Sequence, residues 1–88
     1  MIRIHLSVLL GEKKWTQAQL SQITGIRPTT ISEYYNEIIV RANLEHLDLI
    51  CEALDCSLDD LITYEPNKIP RIRRNQKGNQ IGPVKEKS

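Results

Sequence analysis

TQAQLSQITGIRPTTISEYYN, Thr16–Asn36, is the stretch on which the fold turns. Thr16 followed three residues later by Gln19 fits a capping box, in which the threonine hydroxyl accepts from the Gln19 N–H while the Gln19 side chain reaches back to the cap. Trp15 before the cap and Leu20 beyond it add a hydrophobic staple. The pattern predicts a helix from Thr16 to about Thr24, with Leu20 and Ile23 inward, ended by Gly25, which takes a left-handed φ without steric cost. Pro28 suits a first helical position because its missing N–H would have gone unpaired there. A second helix is therefore predicted from Pro28 to Tyr35 or Asn36.

Two short helices joined at a glycine are the minimal helix-turn-helix, a pairing common in helical proteins, so the information lies in what each face carries. At about 100° per residue, Tyr34 and Tyr35 flank Ile31 on the buried side, while Thr29, Ser32, Glu33 and Asn36 fall opposite. That outer face is short, polar and almost free of lysine. It is either an ordinary solvated helix face or a surface matched to base edges: threonine offers a hydroxyl and a methyl, and glutamate accepts from the cytosine amino group. Arg27, just before the helix, is placed for a guanine edge or a phosphate.

Working outward, Met1–Leu6 alternates Ile2, Ile4 and Leu6 with Arg3 and His5, which suits a short strand leading into a helix or an early helix start; either way those three face the core. Leu6, Leu9 and Leu10 mark a first helix fraying near Gly11–Lys14. Asn43 caps a segment with Leu44, Leu47, Ile50, Cys51 and Leu54 inward, and Ser57 caps a last short helix carrying Leu58, Leu61 and Ile62. The fold class is all-α, a compact five-helix domain over residues 1–65, with Ile2–Ile4 able to pair in extended form near Ile62–Tyr64. Beyond Pro66 the apolar period gives way to Pro, Gly, Asn, Gln, Lys and Arg, so 66–88 is expected to be a flexible basic tail.

Eighty-eight residues allow one domain. The net charge of +1 hides an asymmetry: residues 1–65 hold five Lys/Arg against ten Asp/Glu, and residues 66–88 hold seven against one. The chain is an acidic body with a basic tail. The apolar run Leu6–Leu10 is broken by Ser7 and followed by Glu12, Lys13 and Lys14, which argues against secretion and membrane insertion and for a cytoplasmic protein. Cys51 and Cys56 are expected to be reduced structural cysteines, because a zinc site needs four ligands and His5 is remote from His46. No cofactor is implied. The histidines lack a nucleophile and an orienting acid, and no Gly-rich loop cradles phosphate, so no catalytic residues are assigned.

The run from Thr16 through Ser32 resembles the phage repressor/Cro-type (Xre-like) regulators, whose usual pattern is T-Q-x-x-L-A-x-x-T-G-I-x-x-x-T-I-S. The similarity continues through Tyr35-Asn36, Leu44–Leu47, Cys51–Leu54 and Ser57–Ile62, covering about residues 2–65. The resemblance implies a sequence-specific DNA-binding transcription regulator, a repressor in the first instance. It implies that Arg27, Pro28, Thr29, Ser32 and Glu33 face bases, and that Gln17, Thr30, Asn36 and Arg41 lie by the DNA backbone. A homodimer is expected, since one short helix reads too few base pairs.

The chain departs from the family after the second motif helix. Where Asn-Gly-Lys is usual it has Asn36-Glu37-Ile38-Ile39-Val40, placing a negative charge and three apolar residues where a phosphate clamp is expected. Ile38, Ile39 and Val40 either fill the core or form a dimer or partner patch. Ser21 stands for the usual alanine and remains small enough for close helix approach. An acidic body is poorly matched to DNA, which directs attention to Arg71, Arg73 and Arg74 as an arm along phosphates or in a narrow minor groove. The rival reading is a protein-interaction module, an antitoxin or adaptor on the same fold.

Overall fold

The structure, a computed structural model, describes residues 1–74 and 80–83. In chain order the elements are β1 (Ile2–Ile4), α1 (Leu6–Lys13), α2 (Gln17–Thr24), α3 (Pro28–Tyr35), α4 (Leu44–Leu54), α5 (Leu58–Leu61), β2 (Ile62–Tyr64), β3 (Ile72–Arg74) and β4 (Gln80–Pro83). β1 and β2 pair antiparallel with Ile2 opposite Tyr64 and Ile4 opposite Ile62. Backbone hydrogen bonds from His5 N–H to Leu61 O (2.7 Å) and Glu65 N–H to Met1 O (2.8 Å) extend this ribbon, so the two ends of the helical unit are zipped together.

Local chemistry places each boundary. Lys14, at φ 58°, ends α1, and the Trp15 N–H closes back on Leu10 O at 3.0 Å, so the helix runs through Gly11 instead of fraying there. Asn43 caps α4 by accepting from the Glu45 N–H, and Ser57 and Asp60 form a capping box on α5. α5 is a single turn that passes directly into β2, so of the two placements expected for Ile62, in the last helix or in an extended pair, the strand is the one it takes.

The core is one cluster: Ile4, Leu6, Leu10, Leu20, Ile26, Ile31, Tyr34, Leu47, Ile50, Leu54 and Leu61. Each such side chain contributes about 1.5–3 kcal/mol by leaving water.

Four predicted core residues are corrected, each for a geometric reason. Ile23 is 57% exposed, because the inward sector of α2 is shared by Gln17, Leu20, Ser21 and Thr24, all buried or half-buried, and Ile23 falls outside it. Leu44 and Leu58 are exposed and are the first residues of their helices. Helical side chains lean toward the N-terminus, so a residue there projects past the end of its own helix. Ile2 is exposed opposite an equally exposed Tyr64, at the end of the ribbon away from the buried Ile4.

The loop after α3 needs a further correction. Ile38 (65% exposed) and Val40 (93%) do not fill the core; only Ile39 packs against it. The Tyr34 hydroxyl accepts from the Asn43 N–H at 3.1 Å, pinning the end of α3 to the start of α4, so the chain between them runs over the surface.

Beyond Pro66, where composition predicts no regular structure, β3 pairs antiparallel with β4, with Ile72 opposite Pro83, Arg73 opposite Gly82 and Arg74 opposite Gln80. The register skips Ile81, and Gly82 sits at φ 115°, a value that favours glycine. The rest of the predicted flexible tail, residues 75–79 and 84–88, lies outside the described residues. Among the described residues no helix is long and apolar enough to cross a membrane.

Candidate nucleic-acid interface

The turn between α2 and α3 is held by more than its glycine. Gly25 takes φ 77° and its N–H donates to Ser21 O at 2.9 Å. The Thr24 hydroxyl donates to Leu20 O (2.8 Å) and accepts from the Ile26 N–H (3.2 Å), and the Ser21 hydroxyl donates to Ile26 O at 2.5 Å. Ile26 is buried. Ser21, read from sequence only as a small residue, is thus also a hydrogen-bonding tie that an alanine could not supply. At the start of α2 the capping box is complete: Thr16 Oγ1 accepts from the Gln19 N–H at 3.1 Å and Gln19 Oε1 from the Thr16 N–H at 2.7 Å.

α3 is therefore presented on a braced hinge. Ile31 and Tyr34 on its inner face are fully buried. Arg27, Pro28, Thr29 and Glu33 are exposed, and Ser32 is half-buried. These five stand together at the start of α3 and along its outer side. Of the residues assigned to the DNA backbone, Asn36 and Arg41 are exposed and Gln17 and Thr30 half-buried. Asn36 is tied to its neighbour: its Nδ2 donates to Ser32 O (2.9 Å) and Ser32 Oγ (3.1 Å), which orients the Ser32 hydroxyl. Arg27, the residue capping α3, makes no side-chain cap, so its guanidinium is not engaged at the helix end.

Glu37 sits where the sequence placed a negative charge against a phosphate-binding loop. It adopts φ 58° and turns its carboxylate away into the β1 backbone. Oε1 accepts from Arg3 Nε at 2.8 Å and from the Ile4 N–H at 2.9 Å, and Oε2 accepts from Arg3 Nη2 at 3.1 Å. The Arg3 hydrogen bond, reinforced by the Ile4 N–H, lowers the Glu37 pKa to about 2. Arg3 also lies 3.8 Å from Glu65. The charge is locally neutralised, and in exchange Arg3 is spent within the fold. No local sequence signal links residues 34 apart, so this tie was not foreseen.

Away from this face, Cys51 and Cys56 are free thiols, and burial, with Cys51 close by, pushes Cys56 up to about 11. Among the described residues no three His, Cys, Asp or Glu side chains group to hold a metal ion. Arg71 is exposed beside β3, in which Arg73 and Arg74 are the second and third residues.

Comparison with known proteins bears on the domain as a whole. Residues 5–67 match the model of the Cro/C1-type HTH DNA-binding domain. The uncharacterised HTH-type transcriptional regulator YozG of Bacillus subtilis is 30% identical over 67 residues, covering 76% of this chain and 80% of the relative. The SPbeta prophage-derived uncharacterised HTH-type transcriptional regulator YopS, also of Bacillus subtilis, is 33% identical over 57 residues, covering 65% of this chain and 77% of the relative. The crystal structure of a candidate DNA-binding protein from Bacteroides fragilis superposes with a TM-score of 0.64 at 27% identity, over 72% of this chain and all of that one.

Proposed function

The chain belongs to the Cro/C1-type helix-turn-helix DNA-binding family, and from that membership we propose that it is a cytoplasmic transcription regulator, acting by binding and not by catalysis. It places α3 in the major groove of operator DNA and represses the adjoining promoter. The observation that carries this reading is the two-sidedness of α3: Ile31 and Tyr34 are fully buried while Thr29 and Glu33, with Arg27 and Pro28 ahead of them, stand exposed. A solvated face would tolerate a mobile mount. The hydrogen-bonded turn at Ser21, Thr24 and Ile26 instead fixes α3 relative to α2, as base reading demands.

In this reading Arg27 takes a guanine edge or phosphate, Thr29 and Ser32 supply hydroxyls, Thr29 a methyl for thymine, and Glu33 accepts from a cytosine amino group. Gln17, at the positive end of α2, with Thr30, Asn36 and Arg41, holds phosphates on either side. The regulator works as a homodimer on a two-fold site, and the exposed Ile38 and Val40, beside the half-buried Ile39, form an apolar contact with the second copy.

Selection of sites from random duplex DNA tests this directly. The full chain should enrich a palindrome, and Thr29→Ala with Glu33→Ala should relax preference within each half-site while leaving the fold intact by circular dichroism. Failure of the full chain to enrich any sequence would overturn the proposal.

A further inference from the structure

Resting on the reading of α3 as the base-reading helix, we propose that β3 and β4 form a second DNA-binding element, a basic two-stranded ribbon that grips phosphates flanking the site. Three observations lead there.

The first is charge. Between Pro66 and Pro83 the chain carries Lys68, Arg71, Arg73, Arg74 and Lys77 and no acid at all, whereas residues 1–65 have twice as many acids as bases. Affinity for duplex DNA comes largely from neutralised phosphates. The body's own cations are partly committed elsewhere: Arg3 is bound by Glu37, and Lys13 lies 5.9 Å from the centre of the Trp15 ring. Apart from Arg27 and Arg41, which the α3 reading already uses, and Lys14, the cations left to hold DNA before Pro83 lie on this segment.

The second is form. Composition predicted a loose tail, yet Ile72–Arg74 pairs in register with Gln80–Pro83. The irregularity in that register coincides with Gly82 at φ 115°, where a side chain would meet no neighbouring atom and only backbone strain would oppose it. The glycine suits the bulge that lets the strands pair. Pairing fixes the backbone of β3, so less ordering entropy is lost on binding than by a free arm.

The third is scale. At roughly 3.3 Å per residue, Arg71–Arg74 spans about 10 Å, a length of duplex that carries on the order of six phosphate charges. Those charges lie on both strands of the duplex, and a two-stranded ribbon is narrow enough to lie in a groove with a phosphate backbone on either side, so residues on both faces of the ribbon fall within reach of phosphates.

The test uses the full chain and its selected site, with affinity measured by fluorescence anisotropy between 50 and 200 mM salt. Replacing Arg71→Ala, Arg73→Ala and Arg74→Ala together should make the dependence of log Kobs on log salt shallower by about 2.7 per chain, equivalent to about 40-fold across that range. The loss should fall equally on selected and random duplexes, with base preferences unchanged. Replacing residues 80–83 with Gly-Ser-Gly-Ser keeps every cation but removes the partner strand, and should weaken binding in the same direction.

An unchanged salt slope in the arginine variant would overturn the proposal, as would a change in self-association without one. A strand-replacement variant that binds like the parent would also overturn it, leaving an unstructured basic arm in its place. Failure of the α3 reading looks different: the parent would then enrich no sequence, whereas here it enriches one and only the salt response moves.

Discussion

Replacing Tyr34 with phenylalanine removes one oxygen and leaves the shape of the core intact. The ring is fully buried, and its hydroxyl accepts from the Asn43 N–H at 3.1 Å while lying 3.4 Å from His46 Nδ1. Without the oxygen, that N–H faces the edge of an apolar ring at the entry to α4. An unpaired buried donor costs about 1–3 kcal/mol. This site is only part-buried and water can partly compensate, so a loss of about 1 kcal/mol is expected. For a domain of this size that corresponds to a fall in Tm of about 4–8 °C. Thermal and urea unfolding followed by circular dichroism measure the loss, and amide hydrogen exchange locates it: core amides such as Leu10 and Ile31 should speed up by only the roughly five-fold that a global loss of about 1 kcal/mol imposes, and Asn43 by more than that. Tyr34→Ala, which also empties the core, should cost about 3–5 kcal/mol. If Tyr34→Phe unfolds with the parent and the Asn43 amide exchanges unchanged, the hydroxyl does not pin α3 to α4 and the account of the surface loop fails with it.

Other consequences follow from the same geometry. The Glu37 pKa is lowered to about 2, chiefly by its hydrogen bond from Arg3. A lowered pKa stabilises the fold above the ordinary carboxylate range, with the contribution lost as pH falls from about 4.5 toward 2. The urea midpoint of the parent should therefore exceed that of Glu37→Gln at pH 7, and the two should converge by pH 2; a constant difference would exclude the ion pair as its source. Two glycines should respond with opposite signs. Gly11 lies in an exposed helix interior where a new Cβ meets nothing, so Gly11→Ala should stabilise by about 0.5–1 kcal/mol. Gly25 is equally open but sits at φ 77°, so Gly25→Ala should destabilise by about 1–2 kcal/mol in urea titrations.

What could be read from the amino acids was whatever local chemistry decides. The capping box at Thr16 and Gln19, the left-handed Gly25, Pro28 at the head of α3 and the Asn43 and Ser57 caps each depend on a few neighbouring residues, and each stands where the pattern put it. The Ile2–Ile4 and Ile62–Tyr64 pairing was legible in part: alternation marked the first strand, and its pairing near Ile62–Tyr64 was an expectation that the structure bears out. Periodicity misled where an apolar residue sits at a helix end or where polar residues take the inward sector, as with Leu44, Leu58 and Ile23. The Arg3–Glu37 tie and the Tyr34 hydroxyl join residues distant in sequence, and only the folded chain juxtaposes them. The β3–β4 ribbon escaped because only Ile72 and Ile81 are apolar in it, too few to give a strand period.

For the candidate interface, the exposure of Thr29, Glu33 and Asn36 on the outer side of α3 was legible from periodicity, while the mount that holds α3 in place was not. Ser21 illustrates the difference: its size was evident, but its bond to Ile26 O depends on the path of the turn.

The central claim, that the outer face of α3 reads base edges, is tested most directly at Glu33. Binding of the full chain and of Glu33→Gln should be compared on duplexes in which each position of the selected half-site is changed in turn. The account predicts that the variant alters preference at a single base pair per half-site, by about 1–3 kcal/mol, with the other positions and the salt slope unchanged. A uniform change at every position, or none, would contradict it.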